Sequence, residues 1–594
     1  MKKIVDHWPF YLPLLGVIVG FLIHDFHFLT VPFLIFFTCW LAWIVIQKQF
    51  QFYQSFILTL IVFVCFGFAR LYQINREFQL DKQHCFDASV FKISISQNLG
   101  KRKNWFRYEC SIEQLKKSNN SWVSVYDASL DLYIKDSLNI REGQSLLVHN
   151  VHFNEYNESI LPGDFDLRNL KYSRKFIGTI FAKSANVILL KSTGNRLYAF
   201  RNKVKSHLNR FFVQNLSPNN LMLVRQLLWG DKTQIDDDLK NAFQISGTTH
   251  VLSVSGMHMA LLFAFIHFIL DRISHKKQVK RYMKLSIIPI LWMYAFFTGF
   301  SPPVLRAVSF FTYYLIGNVF FGRTLKLLHV LLVVGLVQLL VNPFSMKDIG
   351  FQLSYLAVLG LSLILPFLKS YYEDYPFWIQ WILDAFAISL SSTITTYPVV
   401  LYYFHQFSVW FLLGNLLLLP LFTLLMYWLF FMVFMAFFSF PMGWLANWLN
   451  GYLNVVSTVV KQSMLLPHPY IYAYGFDFFS MIFHFVFIYG IFIYFRRGWR
   501  FLSFYFLGFL FLNFGISIYR RQLAISEKWQ ADVKFSEGYI RVEKSGRTLR
   551  VLSQGNIPQE KIKPKLNYVM HAFEIDTVLY VSKNKPTGNS VSLH

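Results

Sequence analysis

Apolar residues gather along this chain into runs parted by short polar turns, and many of the runs are long enough to cross a hydrocarbon core, which takes ~20 helical residues. Residues 412–438 and 478–495 are clear cases. At the start, Lys2 and Lys3 precede an apolar stretch at 9–23 that resembles a signal peptide. It lacks a small-residue cleavage site and leads directly into a second run at 28–46, so it reads as a retained helix. After the turn at Gln47-Lys48-Gln49 comes a third span at 56–71.

The pattern then changes its period. From about Asp81 to Leu197 no run reaches span length, and short alternating segments replace the long ones. They fall at 89–96, 122–125, 129–134, 145–153 and 177–190, with turn-like breaks at Asn98-Leu99-Gly100, Ser118-Asn119-Asn120 and Arg141-Glu142-Gly143. This spacing predicts an inserted β-rich domain, for which an OB-like barrel is the natural candidate. Residues 196–238 read as amphipathic helix lying along the membrane surface, with Arg201, Lys203, Lys205 and Arg210 toward polar surroundings. Spans resume at 250–270, 285–300, 304–320, 327–341, 350–369 and 378–398, and continue at 413–439, 443–465, 474–495 and 500–518.

The expected fold class is therefore a polytopic α-helical membrane protein of about 13 spans with an inserted extracytoplasmic β domain and a short β-containing tail. Five regions follow: N-terminal transmembrane helices at 1–75, the OB-like β domain at 81–195, interfacial helices at 196–245, a transmembrane channel domain at 246–518 and a soluble tail at 521–594.

Composition agrees with that class, since only 15% of the residues are charged, against about 25% in a soluble domain. Charge fixes the orientation. The basic loops holding Arg272, Lys276, Lys277, Lys280, Arg281 and Lys284, then Arg323 and Lys326, then Arg496, Arg497 and Arg500 are separated by even numbers of spans. They fall on one side with Lys2, Lys3 and Lys48, which the positive-inside rule makes cytoplasmic. The β domain and the tail are then extracytoplasmic. A net charge of +25 follows from that rule or from a polyanionic partner, and charge alone does not separate the two. Of four cysteines, Cys39 and Cys65 lie in apolar runs, while Cys85 and Cys110 fall in the exported region, where a disulfide between them is permitted.

Polar residues inside or beside spans are costly and mark candidate sites. The densest group is Gly247-Thr248-Thr249-His250-Val251-Leu252-Ser253-Val254-Ser255-Gly256-Met257-His258. On the expected topology, Arg306, Asp348, Gln352 and Thr395 reach the same outer depth as His250. These residues, with Ser253, Ser255, Gly256 and His258, are the candidate lining of a wet path. The eight-residue separation of His250 and His258 suits no metal pair, and no metal-binding spacing is expected anywhere.

Five motifs in order now resemble one family. His250 to His258 is similar to the HLLAxSGxH signature of the ComEC competence proteins, and Arg306-Ala307 to their RA motif. Asn342-Pro343 with Asp348-Ile349-Gly350-Phe351-Gln352-Leu353-Ser354-Tyr355 resembles their P…D-x-GFQLSF element. Thr396-Tyr397-Pro398 through Gly414-Asn415 resembles their TxP…NL segment, and Trp229-Gly230-Asp231 their lead-in GD. Upstream, Pro162-Gly163-Asp164-Phe165-Asp166 and Ile177-Gly178 resemble elements that close the family's OB-like domain.

The resemblance implies a channel in the bacterial cytoplasmic membrane that takes single-stranded DNA inward during natural transformation. It implies a separate DNA receptor, nuclease and cytoplasmic motor as partners, with homo-oligomerisation left open. Many members end in a metallo-β-lactamase-like domain with an HxHxDH site. The tail here has only His571 and His594 and no such motif, so metal-dependent nuclease activity is not expected, nor is any cofactor. Lys101, Arg102, Lys103, Trp105 and Arg107 interleave cations and aromatics as single-strand binders do, and form the candidate DNA-binding set. A hairpin tip in solvent would look the same. Two rival classes stay open: a transporter of another polyanion or lipid-linked substrate, and a membrane-embedded hydrolase using Ser253 or Ser255 with His258, although no GxSxG elbow is present.

Overall fold

A computed structural model describes residues 50–497, apart from 103, 118, 126, 137, 139, 157–165, 191–195, 232–235, 274–276, 322–324, 439–442 and 474–475; beyond these it describes chiefly 528–535, 538–555, 577–582 and 585–592. The spans expected at 9–23, 28–46 and 500–518 lie essentially outside the described residues, as does the Pro162–Phe165 part of the closing motif. The chain divides into two compact units. The first comprises Met1–Tyr156, Asn169–Ser389 and Trp410–Pro467; the second comprises Asn157–Arg168, Leu390–Val409 and His468–His594.

The first described element, α1 (Phe50–Phe86), is one continuous helix. Its 37 residues reach ~55 Å at 1.5 Å per residue, longer than a bilayer core requires. Beyond the apolar run expected as the third span, Leu71, Ile74, Phe78 and Cys85 repeat at helical spacing and bury in the core of the β-rich region.

That region contains β1 (Ala88–Arg102), β2 (Trp105–Lys117), β3 (Trp122–Ser124), β4 (Ser129–Ile134), β5 (Ser145–His149), β6 (Phe153–Asn154), α2 (Leu167–Ser173), β7 (Phe176–Ala182) and β8 (Val187–Leu189). They form an eight-stranded sheet in the order β6-β7-β4-β2-β1-β5-β8, with β3 added beside β2. β4 and β7 run parallel, and the other pairs run antiparallel. Inward positions carry Phe91, Ile93, Ile95, Leu130, Leu132, Ile134, Leu146 and Val148, the period of two expected of strands with one buried face. Gly178 must lack a side chain, because a Cβ there would stand 2.4 Å from the Phe153 ring and 2.5 Å from the Asn154 carbonyl.

Two helices of the predicted amphipathic segment follow: α3 (Arg196–Asn215) and α4 (Pro218–Trp229), the latter ended by Gly230 in the left-handed region at φ 72°. Arg201 departs from its expected polar setting. It is 3% exposed and ion-paired at 2.7 Å with Glu142, which precedes β5.

The helical part continues with α5 (Asp237–Ile245), α6 (Thr249–Leu252), α7 (Gly256–Ile273), α8 (Lys277–Met283), α9 (Ile287–Phe297), α10 (Pro302–Phe321), α11 (Leu327–Val341), α12 (Ile349–Leu363), α13 (Leu365–Lys369), α14 (Phe377–Phe404), α15 (Phe411–Phe437), α16 (Gly443–Gln462) and α17 (Phe478–Arg497). Among the described residues four stretches are long and apolar enough to cross a membrane: Gly256–Ile273, Ile349–Lys369, Phe377–Phe404 and Phe411–Phe437. Shorter apolar helices cover Lys284–Phe297, Leu327–Val341 and Phe478–Ile491. One core binds α4, α5, α7, α9, α10, α15 and α16 together. The core of the β region extends without interruption into Leu339 of α11, Phe344 of the turn that follows it and Phe351 of α12.

In the second unit, β9 (Gln406–Ser408) pairs with β10 (Tyr470–Tyr472). The tail forms a five-stranded sheet, β11 (Trp529–Phe535), β12 (Gly538–Ser545), β13 (Thr548–Gly555), β14 (Thr577–Ser582) and β15 (Lys585–Ser592), in sequence order. Its hydrophobic core includes Ile540, Val542, Leu549, Leu566 and Val569.

Candidate functional site

The densest polar motif folds as a broken helix. Gly247 turns the chain at φ 71°, and Ser246 Oγ lies 2.6 Å from Thr248 Oγ1 while donating to the Phe243 carbonyl at 3.1 Å. One turn of helix, α6, follows. Ser253 then goes extended, at φ −98° and ψ 143°, so the span expected from residue 250 begins instead at Gly256. The reason lies in Ser255 and His258. His258 sits three residues after Ser255, its Nδ1 accepts the Ser255 backbone N–H at 3.2 Å, and Ser255 Oγ lies 3.0 Å from the same nitrogen. This is one half of a capping box, with imidazole in place of a carboxylate. An N–H aimed at Nδ1 leaves the ring proton on Nε2 in the neutral form.

His258 is fully buried, and its Nε2 finds no acceptor among the described residues. A serine and an imidazole thus come within hydrogen-bond reach, but among the described residues no third group meets the ring to orient it as in hydrolytic triads. His250 differs: it is exposed although crowded by protein, and Gly256 is exposed beside it in the motif. Ser253 and Ser255 are half-buried, and Ser253 Oγ has only a long contact of 3.5 Å to the His250 carbonyl.

The next two motifs meet this break. A Cβ on Gly256 would lie 3.7 Å from Ala307 Cβ, which places the start of α7 against the first turns of α10. Arg306, the neighbour of Ala307, donates from Nη2 to the Gly350 carbonyl at 2.9 Å, in the first turn of α12. Asp348 caps α12 by accepting the Phe351 N–H at 3.2 Å and is 4% exposed. Its other oxygen accepts from Arg174 Nε at 3.1 Å, at the end of α2 in the β region. Gln352 turns back to the Met346 carbonyl at 2.8 Å. Three helix N-termini, those of α7, α10 and α12, are linked by these contacts.

On the far side of the break, Gly414 of α15 is pressed to Ser246, where a Cβ would stand 2.1 Å from the backbone oxygen. Its neighbour Asn415 is buried and donates to Ser389 Oγ at 2.7 Å. Thr395 belongs to the second unit, where its hydroxyl donates to the Ser392 carbonyl of its own helix at 3.0 Å.

The candidate DNA-binding set falls on the β1–β2 hairpin, whose end pairs Arg102 with Trp105. Lys101 is exposed, with Nζ 5.6 Å from the Phe106 ring, and Trp105 packs edge-on to Phe181 at 5.4 Å. Arg107 is half-buried on β2. Lys103 and the side chain of Arg102 lie outside the described residues. Cys85 and Cys110 are free thiols in the structure, both buried, and burial pushes each thiol's pKa up. The disulfide that an exported location would permit between them is not formed in the structure.

Sequence reasoning missed Arg174, Gly414 as a contact point, and the Arg201–Glu142 pair. Each partner lies far along the chain, Arg174 being 174 residues from Asp348, so no spacing announces the contact.

Residues 227–498 match the family model described as competence protein. The chain is 25% identical over 405 residues to ComE operon protein 3 of Bacillus subtilis, covering 64% of this chain and 50% of that protein. It is 26% identical over 224 residues to recombination protein 2 of Haemophilus influenzae, covering 36% of this chain and 28% of the relative. An uncharacterized protein of Aquifex aeolicus is 30% identical over 139 residues, 23% of this chain and 32% of that one. The chain thus spans about half the length of the first of these relatives and less of the others. No solved structure matches it.

Proposed function

We propose, from the premise that this chain belongs to the ComEC family of competence proteins, that it conducts a single DNA strand across the cytoplasmic membrane during natural transformation. The observation that carries this reading is the gathering of three helix N-termini around the break at Ser253–Ser255. Helix N-termini present positive dipole ends and free N–H groups, which favour anions. The charged trio beside them, Arg306 and Arg174 against Asp348, adds a net positive charge at the same place. A polyanion crossing lipid needs such a hydrated, partly cationic route.

In this reading His250, Ser253, Ser255 and Gly256 face the strand, with Gln352 further along the path, and Thr395 is a candidate lining residue of the second unit. His258, Arg306 and Asp348 hold the mouth in shape. The β region is an OB-like extracytoplasmic domain that guides the strand through Lys101, Arg102, Lys103, Trp105 and Arg107. The membrane domain completes about 13 spans, with the N-terminus inside and the tail outside. Strand degradation and pulling are left to a separate nuclease and motor, with a separate receptor for the duplex, and nuclease chemistry is no part of this chain's role.

The test is transformation with end-labelled duplex DNA in strains carrying Arg306→Ala or His258→Ala, with membrane levels of the protein matched. Label is expected to accumulate outside, with at least a tenfold loss of cytoplasmic strand, on the order of the 1.4 kcal/mol that one such contact supplies. Normal transformation in a complete deletion would sink the reading.

A further inference from the structure

A recess of about 400 Å³ opens where the β1–β2 hairpin and the loop at Glu142 meet α3 and α4. It is within the size range of small-ligand sites. Two helices present regularly spaced side chains to it. Lys205 and Asn209 are one turn apart on α3, and Arg225 and Trp229 are one turn apart on α4. Asn98 closes the recess from the hairpin, its N–H donating to Glu142 Oε1 at 3.3 Å. None of these residues belongs to the helix break or to the exposed hairpin tip.

The charges are arranged rather than scattered. Glu142 is neutralised by Arg201, which binds its Oε2 at 2.7 Å, while Lys205 stands 3.8 Å from the same oxygen. Arg225 spends Nε on Asn209 Oδ1 at 2.8 Å, which fixes the guanidinium plane. Its Nη groups have no protein acceptor among the described residues. Arg201, Lys205 and Arg225 against Glu142 and Asp231 leave one positive charge at the recess. Trp229 is half-buried, with one side packed on the hydrophobic core below.

We propose that this recess holds one nucleotide unit of a single strand, the base against Trp229 and the phosphate between Lys205 and Arg225. The combination of a cationic groove and an indole is how single strands are held without sequence preference. Burial depresses the proton affinity of Lys205, a cost that an arriving phosphate would offset. The recess deepens the reading of the chain as a DNA conduit, on which it rests. It makes the Trp229-Gly230-Asp231 motif a checkpoint that a strand meets between the β domain and the membrane helices.

The experiment uses the full chain in detergent micelles and a fluorescein-labelled oligothymidylate, followed by anisotropy at several salt concentrations. The double variant K205Q/R225Q is expected to bind about tenfold more weakly, and its log–log salt slope to fall by about 0.7 for each phosphate it no longer neutralises. A second oligomer carrying one 5-iododeoxyuridine, irradiated on the wild-type chain, is expected to cross-link at Trp229 by peptide mapping. Equal affinity and equal slope in the double variant, or cross-links only elsewhere, overturn the recess as a site. So does a wild-type chain that fails to bind the oligomer. Should the recess fail while a deletion strain still loses transformation, the conduit reading stands; should the deletion strain transform normally, the conduit reading falls whatever the recess binds.

Discussion

Asp81 shows how a single residue carries the strain of joining two environments. It lies on α1 just past the membrane run, where burial and the nearby Glu77 carboxylate raise its pKa from 3.8 to about 6. The folded protein therefore binds this proton more tightly than the unfolded chain. Its contribution to stability is favourable at low pH and is lost as pH rises from about 4 through 6, where the ionised carboxyl is held at a cost. Asp81→Asn removes that cost. The variant is expected to melt a few degrees higher at pH 7, with a flatter melting profile between pH 4 and 6; unfolding scans in detergent across that range check it, and an unchanged profile would contradict the raised pKa. At this scale the sequence is partly legible. Asp348 and Arg306 stand out because charge in an apolar context is expensive, whereas Arg174 is one cation among many until the fold brings it to Asp348.

Among the elements, periodicity located most of what formed. β4 and α11 have the bounds their patterns predicted, at Ser129–Ile134 and Leu327–Val341. The misses have local causes. The segment at 145–153 divides into β5 and β6 because Asn150 takes φ 51° and turns the chain. The segment at 177–190 divides into β7 and β8 around a 3₁₀ turn at Ser184–Asn186. β2 has no counterpart among the expected segments because its outward positions carry Arg107, Glu109, Glu113 and Lys116, and only the inward Tyr108, Cys110, Ile112 and Leu115 bury. The span predicted from 250 misplaced its start, since a capping arrangement at Ser255 and His258 outweighs apolar continuity.

Packing between elements sets the next prediction. Gly414 admits α15 to the Ser246–Gly247 turn, and a Cβ there would meet a carbonyl oxygen, which cannot swing aside as a side chain does. Gly414→Ala should destabilise the protein by about 1–3 kcal/mol through overpacking. If the chain conducts DNA as proposed, it should also cut uptake more than a matched Gly451→Ala, whose Cβ would meet open space. Equal behaviour of the two variants in melting and transformation assays would count against a tight crossing at the break.

For the whole molecule, the decisive feature is that the β region and the membrane helices share one core and one ion pair. Leu339, Phe344 and Phe351 complete the hydrophobic interior of the sheet, and Arg174 reaches Asp348 at the cap of α12. Removing one partner of a buried pair costs about 3–5 kcal/mol, because the other charge is left without compensation. Asp348→Ala should approach that loss, and Arg174→Gln should lose less, since Arg174 is partly exposed and Asp348 keeps Arg306 nearby. Hydrogen exchange should then quicken along α2 and β7 in Arg174→Gln before it changes in α15 and α16. Uniform quickening, or none, would show that the pair does not brace the β region. The overall class, membrane helices with an inserted sheet, was legible from the shift in period near Asp81. That the β region shares its core with α11 and α12 was not, because sequence patterns report which face is buried and not what it is buried against.

The Arg174–Asp348 pair also bears on inheritance. A domain whose interior is finished by residues of its host, and whose anchoring cation answers a helix cap elsewhere in the chain, is not an exchangeable cassette. Chimeras that trade the β region between relatives should assemble only when α11, α12 and the turn between them travel with it, so the two parts are expected to have changed hands together.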